Sequence, residues 1–367
     1  MPRALSYFSV IIVVAMLLGA SLAAIYHHNP FGLREHPLTF SYSDKSMALC
    51  PKGFVRVPAD DEFAHEDFCV MKFDAKALDQ ATGQIILDGC GGLPSLHACN
   101  VEGRNSWGNF ADLLPASVSE GAPWRRISFY QAHQACGSLG DRYQLITNRE
   151  WMAIARNIEQ NAHNWTKRER EKGSLAQGLH KVPGIVGERY KTRNHPAPEA
   201  SARCLYAYSE ERRVKCSRAG NPRFRRTLVL STGDVVWDLA GNVWTWVDAM
   251  EDGTPVNGNV CGTDDSWATF PECDFQAKHG YAPVAGFDKR FEIGPRQRSA
   301  TGAGVGMIAS SISEDRVFRR GGSWQNEPAS GVFSLDLRSS PFAASSGIGF
   351  RCTYRPLNDA GALAMEE

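Results

Sequence analysis

A single segment near the C-terminus, Arg319–Cys352, constrains the fold more than any other part of the chain. In its middle, large apolar side chains alternate with polar ones. The apolar residues are Phe333, Leu335 and Leu337, and the alternating polar residues are Ser334, Asp336 and Arg338. Such alternation is typical of a β-strand with one face in the core. The segment therefore predicts a strand over Val332–Arg338 whose polar face meets solvent.

Two loops of small and polar residues flank this strand, at Gln325–Ser330 and Ser339–Gly347. The predicted polar face itself carries an acid, a base and a hydroxyl group. Loops held beside a regular element are a common place for binding residues, because the scaffold fixes their position. We therefore interpret the strand face and the two loops as a candidate ligand surface.

The two ends of the segment resemble a known family. Gly-Gly-Ser-Trp at Gly321–Trp324 and Gly-Phe-Arg-Cys at Gly349–Cys352 are similar to the C-terminal part of the formylglycine-generating enzyme, or sulfatase-modifying factor, family. That family has a variant of the C-type lectin-like fold. The resemblance implies an α+β, C-type lectin-like domain of the formylglycine-generating-enzyme type, with long loop insertions and disulfide staples.

Active members of this family carry two cysteines a few residues after the Gly-Gly-Ser, and these thiols hold copper and perform an oxidation. No cysteine occurs between Asp274 and Arg351 in this chain. Thiolate is the nucleophile and the soft metal ligand that such chemistry needs. The sequence therefore predicts a non-catalytic member with no catalytic residue, no metal site and no cofactor.

A second branch of the same fold resembles the segment along its whole length. In the variable proteins of diversity-generating retroelements, Gly-Gly-Ser-Trp is followed by two polar positions, Gly-Val-Phe, an alternating strand, a proline, a polar loop and Ile-Gly-Phe-Arg-Cys. The corresponding features here are Gln325, Asn326, Gly331–Phe333, Pro341 and Ile348–Cys352. The resemblance implies that the diversified, ligand-contacting positions lie on the polar face and the adjoining loops.

The predicted ligand contacts are ten residues of this face and its loops. They are Gln325, Asn326, Glu327, Ser334, Asp336, Arg338, Ser339, Ala343, Ser345 and Gly347. Arg338 is the expected anchor, because its guanidinium can bind a carboxylate in bidentate fashion or stack on a ring. The expected partner is a protein or a glycan on another cell or surface. The alternatives are a solvated face without a ligand, a catalytic member that uses unrecognised residues, and a structural envelope protein.

A second motif, Asp238–Trp246, resembles the family's Asp-x-x-Gly-Asn-x-Trp-Glu-Trp signature. In relatives the part from Asn to Glu helps to hold calcium, which prefers several charged oxygen ligands. Thr245 replaces that Glu, which disfavours calcium at Asn242. Asp238 and Asp248 are the carboxylates that could compensate, but structural roles are expected for both. Before the motif, Thr232-Gly233-Asp234 predicts a hairpin turn between two β-branched runs.

Two helices are predicted upstream. Ser128 caps the first, over Ser128–Leu139, and Gly140 ends it. The second begins at Thr147, where Thr-Asn-Arg-Glu forms a capping box. Its core-facing residues recur at helical spacing and are Trp151, Ile154, Ala155 and Ile158. Further strands are predicted in Cys50–Pro58 and Phe68–Lys76, where apolar and polar residues alternate.

All ten cysteines lie beyond residue 49, which agrees with an oxidising compartment. Their spacings suggest four local disulfides: Cys50–Cys69, Cys90–Cys99, Cys204–Cys216 and Cys261–Cys273. Free thiols and other pairings remain open from spacing alone. The lectin-like resemblance implies a fifth bond, between Cys136 on the first helix and Cys352 on the last strand.

The N-terminus reads as an export element, because no charged residue occurs between Arg3 and Arg34 and Ser9–Ala24 is apolar. The run is long enough, at roughly 20 residues, to serve as an uncleaved membrane anchor. The predicted organisation is a signal peptide or anchor at 1–30, a linker at 31–46, one domain at 47–356 and a tail at 357–367. The chain is expected in the cell envelope, contacting a membrane if the anchor is retained. Lys plus Arg equals Asp plus Glu at 40 each, so no overall field favours nucleic acid.

Overall fold

The computed structural model describes residues 50–61, 63–87, 89–90, 112–170, 172–178, 223, 225–249, 267–268, 304–309, 316–326 and 329–356. All of these residues belong to one compact unit, Ala48–Glu367. Within them, no helix is long and apolar enough to cross a lipid bilayer. The predicted export segment, linker and C-terminal tail lie outside the described residues.

The described part of the chain contains two α-helices and fifteen short strands. The helices are α1 (Phe129–Gly137) and α2 (Asn148–Gln160). The strands are β1 (Phe54–Val57), β2 (Phe68–Met71), β3 (Lys76–Asp79), β4 (Gln84–Ile85), β5 (Leu113–Ala116), β6 (Tyr143–Leu145), β7 (Thr227–Val229), β8 (Val235–Trp237), β9 (Trp244–Val247), β10 (Trp267–Ala268), β11 (Ile308–Ala309), β12 (Val317–Arg320), β13 (Leu335–Ser339), β14 (Ile348–Phe350) and β15 (Cys352–Tyr354).

Both predicted helix starts are confirmed. The side chain of Ser128 accepts a hydrogen bond from Gln131 N, and that of Thr147 accepts one from Glu150 N. In each case the side chain of the third helical residue binds back to the cap backbone, so two orphan donors are satisfied together. Helix α1 ends at Gly137, two residues before the predicted end.

The strands form four sheets. A four-stranded sheet has the order β1-β2-β15-β6, and a three-stranded sheet has the order β4-β3-β5. Strands β7 and β8 form the predicted hairpin. The largest sheet has the order β10-β11-β13-β12-β9-β14 and is mixed, since β11 pairs with β13 and β14 with β9 in parallel. Strand β13 is therefore an interior strand, with β11 on one side and β12 on the other.

Two hydrophobic clusters lie within the described residues. The first gathers Trp151 and Ile154 of α2 against Leu335 and Leu337 of β13. The second gathers Phe129 of α1 with Trp124, Trp244, Trp246, Ile348 and Phe350. The central strands of the large sheet thus have apolar packing on both sides.

One long-range and one local disulfide are defined within the described residues. Cys136 of α1 is bonded to Cys352 of β15, with a Cα–Cα distance of 5.4 Å. The N-terminal disulfide joins Cys50 to Cys69. Cys90 is also disulfide-bonded, whereas the other cysteines named in the sequence pairings, Cys99, Cys204, Cys216, Cys261 and Cys273, lie outside the described residues.

One predicted strand begins later than the sequence pattern suggested. Val332 and Phe333 form a turn, and the strand starts at Leu335. The reason is the close approach of Gly331 to a neighbouring backbone: a Cβ at Gly331 would lie 2.4 Å from Gly306 N. Phe333 N then donates to Val305 O instead of joining a strand ladder.

Candidate ligand-binding face

The predicted polar face of β13 does not meet solvent, and that part of the expectation is wrong. Ser334 is 0% exposed, Asp336 is 1% exposed and Ser339 is 9% exposed. Among the three alternating polar residues, Arg338 reaches solvent, with 26% of its side chain exposed. Polar side chains on an interior strand can be buried when neighbouring strands supply partners, and here they do.

Asp336 is the centre of a buried ion-pair network. Its carboxylate accepts hydrogen bonds from Arg319 Nη2 at 2.6 Å and from Arg338 Nε at 3.0 Å and Nη2 at 2.9 Å. The backbone N of Arg338 donates a further bond of 2.9 Å. Burial raises the pKa of Asp336, but the Arg338 hydrogen bonds and the Arg319 charge outweigh it, so the pKa lies below its ordinary value. The carboxylate is engaged inside the protein rather than offered to a ligand.

Two tryptophans from other strands cover the same network. Trp244 of β9 and Trp267 of β10 stack with their ring centroids 5.9 Å apart and their planes nearly parallel. The guanidinium of Arg319 lies 5.2 Å from the centroid of the Trp244 ring, and that of Arg338 lies 4.7 Å from the Trp267 centroid. Stacked guanidinium and indole groups attract through the ring quadrupole. This cation–π ladder excludes water from the face that the alternation pattern assigned to solvent.

Ser334 is enclosed by a different contact. Its hydroxyl donates a short hydrogen bond to Ala329 O. The backbone of Gly306 packs directly on it, since a Cβ at Gly306 would lie 2.2 Å from Ser334 Oγ. Ser334 therefore stabilises the turn before β13 and contacts no solvent.

The end of the Gly-Gly-Ser-Trp motif lies beside the second flanking loop. Trp324 of the motif and Ser346 of the second loop line one small cleft together with Asn242 and Arg125. A Cβ at Gly347 would lie 3.8 Å from Ser323 Oγ. We call the surface formed by residues 323–326 and 340–347 the loop face.

The predicted contact residues differ in where they lie relative to the loop face. Gln325 and Ser345 are exposed, whereas Asn326, Ala343 and Gly347 are half-buried within it. Asn326 is also a structural residue, because its Oδ1 accepts bonds from the Oγ and the backbone N of Ser323. Glu327 lies outside the described residues.

Sequence reasoning missed two residues at this surface. Phe342 is 53% exposed, and its ring lies 5.2 Å from that of Tyr130 on α1. Arg126 is half-buried, has a left-handed backbone with φ of 56°, and donates its backbone N–H to Ser345 O. A lone aromatic ring in a loop of Ala and Ser was the signal for Phe342. No local signal marks Arg126, since the loop reaches it across 219 residues of sequence.

The signature around Asn242 forms a buried polar network behind the loop face. Asn242 Nδ2 donates to Asp74 Oδ2 at 2.9 Å and to Asp238 Oδ2 at 3.2 Å. Asp74 is in turn bound by Arg351 at 2.6 Å, and Asp238 by Arg226. Both carboxylates are thus neutralised by guanidinium groups.

These residues do not fit a calcium ion. Asn242 Oδ1 and Thr245 Oγ1 are buried oxygens without a hydrogen-bond partner in the described structure, but both are neutral. Calcium prefers several charged oxygen ligands, and the nearby carboxylates are held by arginines. No group of three or more His, Cys, Asp or Glu able to hold a metal occurs in the described ranges. Copper does not fit either, because the sequence supplies no thiol between Asp274 and Arg351.

Comparison with known proteins identifies the family to which this domain is similar. The family described as "Sulfatase-modifying factor enzyme 1-like domain" matches residues 99–356, well over half of the chain. No curated protein matches the chain in sequence. Among solved structures, a Major Tropism Determinant I1 variant is 14% identical with a TM-score of 0.33, and the match covers 84% of this chain and 53% of that one. The chain thus spans about half the length of that relative.

Two further solved structures are similar over most of their length. PvdO from Pseudomonas aeruginosa is 13% identical with a TM-score of 0.33, covering 83% of this chain and 91% of that one. Treponema denticola variable protein 1 is 13% identical with a TM-score of 0.30, covering 83% and 92%.

The domain has the C-type lectin-like fold, in which two helices pack on sheets of short strands and a disulfide joins the first helix to the last strand. The family match then narrows the class. The chain belongs to the sulfatase-modifying factor family of formylglycine-generating-enzyme-type domains.

Proposed function

We propose that the protein is a non-catalytic, exported binding protein that contacts its ligand through the loop face. The contacts are Gln325, Ala343, Ser345 and Gly347, with Phe342 as the main anchor. Asn326 lies within the loop face and Arg338 lies at its margin, and Glu327 remains a predicted contact. The buried residues Ser334, Asp336 and Ser339 support the surface from within.

The observation that carries this proposal is the exposure of Phe342. Apart from Leu87, it is the only large hydrophobic residue of the described structure that is strongly exposed. A rigid aromatic ring that is exposed in the free protein and supported from below by Tyr130 suits a binding anchor, because it buries apolar area at little entropic cost. Polar and small residues surround it on the loop face, as in a typical binding rim.

A redox enzyme of the family's type is the less favoured function, because thiol chemistry has no residue to perform it at this site. Turnover of a Cys-x-Pro-x-Arg peptide by the copper-loaded full chain would contradict the binding proposal. A reverse transcriptase gene beside this one, with a near-copy of the 3′ coding segment, would support it.

Export is part of the proposal and rests on the uncharged N-terminal run and on the disulfides. A tagged full chain is expected in the envelope fraction of cells, with its disulfides oxidised. Recovery in the cytoplasmic fraction with reduced thiols would contradict it.

Binding is tested with fluorescent full chain on a panel of intact bacterial and eukaryotic cells. Phe342→Ser is expected to lower the affinity for any cell that the wild-type chain binds by about tenfold or more, since losing an aromatic anchor costs about 2 kcal/mol. The matched control is Leu87→Ser, which removes an apolar side chain of similar exposure (59%) beside β4. Equal binding by wild type and Phe342→Ser, with both folded, would refute the proposed face.

A further inference from the structure

Arginine residues of neighbouring segments border the loop face. Arg125 is only 3% exposed and Arg338 is paired with Asp336, whereas no carboxylate of the described residues pairs with the half-buried Arg126. Glu327, the acidic residue among the predicted contacts, lies outside the described residues. The nearby carboxylate, Asp336, is buried and bound by two arginines. A guanidinium beside this face attracts an anionic group of a ligand and repels a cationic one.

Arg126 is the residue on this surface whose geometry points to a ligand. It is half-buried, and its buried Nε has no hydrogen-bond partner in the part of the chain that the structure describes. Its backbone is held in the left-handed region at φ of 56°, which disfavours an arginine. Such strain persists where the surroundings over-determine it, and it is concentrated at functional sites.

The surroundings that hold Arg126 are the loop face itself. Arg126 N donates to Ser345 O at 3.1 Å, and two residues later the N-cap Ser128 begins α1. Phe129 N at the start of α1 donates to Pro341 O at 2.9 Å. Arg126 is thus fixed beside Ser345, on the same loop that carries the exposed ring of Phe342.

A guanidinium and an exposed aromatic ring on one surface define a ligand chemistry. Arginine binds a carboxylate or sulfate through two parallel N–H groups. An aromatic ring packs on the apolar C–H face of a sugar ring, because both bury apolar surface. An extended peptide could not add to β13, since β11 and β12 already pair with both of its edges.

We propose that the loop face binds an acidic polysaccharide, with Arg126 holding a carboxylate or sulfate group and Phe342 packing on the adjoining sugar ring. This inference rests on the proposed function and narrows its ligand to one class. Binding of this kind needs no calcium ion, unlike recognition of sugar hydroxyls by a bound ion. The proposal therefore agrees with the observation that the residues around Asn242 do not fit calcium.

The experiment measures binding of the full chain to polygalacturonate, to neutral dextran and to polyglutamate at 50 mM and 300 mM salt. The wild type is expected to bind polygalacturonate more tightly than both other polymers and to lose affinity at the higher salt. Arg126→Gln is expected to weaken that binding by about tenfold, as for loss of a charge-assisted hydrogen bond. Arg126→Lys should keep part of it, because the charge remains and the bidentate geometry is lost.

Two further variants separate the ring contact from general charge. Phe342→Ala is expected to weaken binding of polygalacturonate without changing the residual binding of polyglutamate. The control Arg142→Gln removes an exposed arginine at β6 that donates to Tyr354 Oη, and it should leave binding unchanged. Circular dichroism of each variant confirms that it is folded.

Three results would overturn the inference. They are no binding of polygalacturonate at 50 mM salt, equal effects of Arg126→Gln and Arg142→Gln, and polyglutamate bound as tightly as polygalacturonate. If cells or proteins are still captured in a way that depends on Phe342, the acidic polysaccharide is wrong and the binding function stands. If capture of every probe is independent of Phe342, the proposed function fails as well.

Discussion

Replacing Asp336 with alanine is expected to destabilise the fold rather than to remove a ligand contact. The carboxylate is 1% exposed and receives the four hydrogen bonds described above from Arg319 and Arg338. The alanine leaves Arg319, whose side chain is only 13% exposed, beside two tryptophan rings without its counter-ion. Burial already lowers the pKa of Arg319, which shows the cost of keeping that charge inside.

The expected loss follows from this burial. Removing one partner of a buried pair costs about 3–5 kcal/mol, because the other charge stays desolvated. Arg338 can turn to solvent and Arg319 keeps its cation–π contacts, so a value near 3 kcal/mol is expected. At an unfolding entropy of about 2.1 cal/mol/K per residue, a domain of this size would melt at a temperature lower by roughly 4–5 °C.

The assay is urea and thermal unfolding of the full chain with its disulfides intact. Arg338→Ala is the matched control and is expected to cost about 1 kcal/mol, since its partly exposed side chain leaves Asp336 bound to Arg319. Because the pKa of Asp336 is lowered by folding, its stabilisation is full above the unfolded pKa and is lost as pH falls through the folded pKa. Asp336→Asn should therefore remove part of the acid dependence of stability. A loss below about 0.5 kcal/mol for Asp336→Ala would show that the network is not structural.

Three other changes have defined outcomes. Replacing Cys136 and Cys352 with alanine should lower the free energy of unfolding by about 5 kcal/mol, because the disulfide closes a loop of 216 residues. Loss of the N-terminal disulfide should cost less, because that bond closes only 19 residues. Equal losses for the two disulfides in calorimetry would contradict this. The hydrogen bond to Asp248 raises the pKa of His133. The stabilisation from this pair is therefore full below the unfolded-state pKa and is lost as pH rises through the folded-state pKa. His133→Asn should flatten that part of the plot of stability against pH, and an unchanged plot would contradict the role of the pair. Burial lowers the pKa of Lys76 from 10.5 to about 8. Between these pH values the unfolded chain binds a proton that the folded protein does not, so the free energy of unfolding should rise with pH. Lys76→Met should abolish this rise.

Local sequence signals predicted the helices well. The capping boxes at Ser128 and Thr147 involve residues only three positions apart, so the pattern alone contains the interaction. The hairpin of β7 and β8 was predictable for the same reason, because its turn residues adjoin its strands. The start of β13 was less accurate, because the close approach of Gly331 to Gly306 delays the strand. The end of α1 differed from the prediction by two residues, a common uncertainty at helix ends.

The candidate site was predicted in part. The motif at Gly321–Trp324 and the loop before Ile348 were recognisable, and the structure brings them together as the loop face. Arg126 could not be found from sequence, because nothing near it indicates that Ser345 will lie beside it.

The sequence by itself determined the family, the two capped helices and the alternating character of β13. Only the tertiary structure decided which face of β13 meets water. Alternation reports that two faces differ in polarity, and a polar face can be satisfied equally by solvent or by buried partners. Arg319 and Trp267 supply those partners from other strands of the sheet, and Trp267 lies about 70 residues away in sequence. The polar face of the strand is therefore buried, and the solvent-exposed residues lie in the loops beside it.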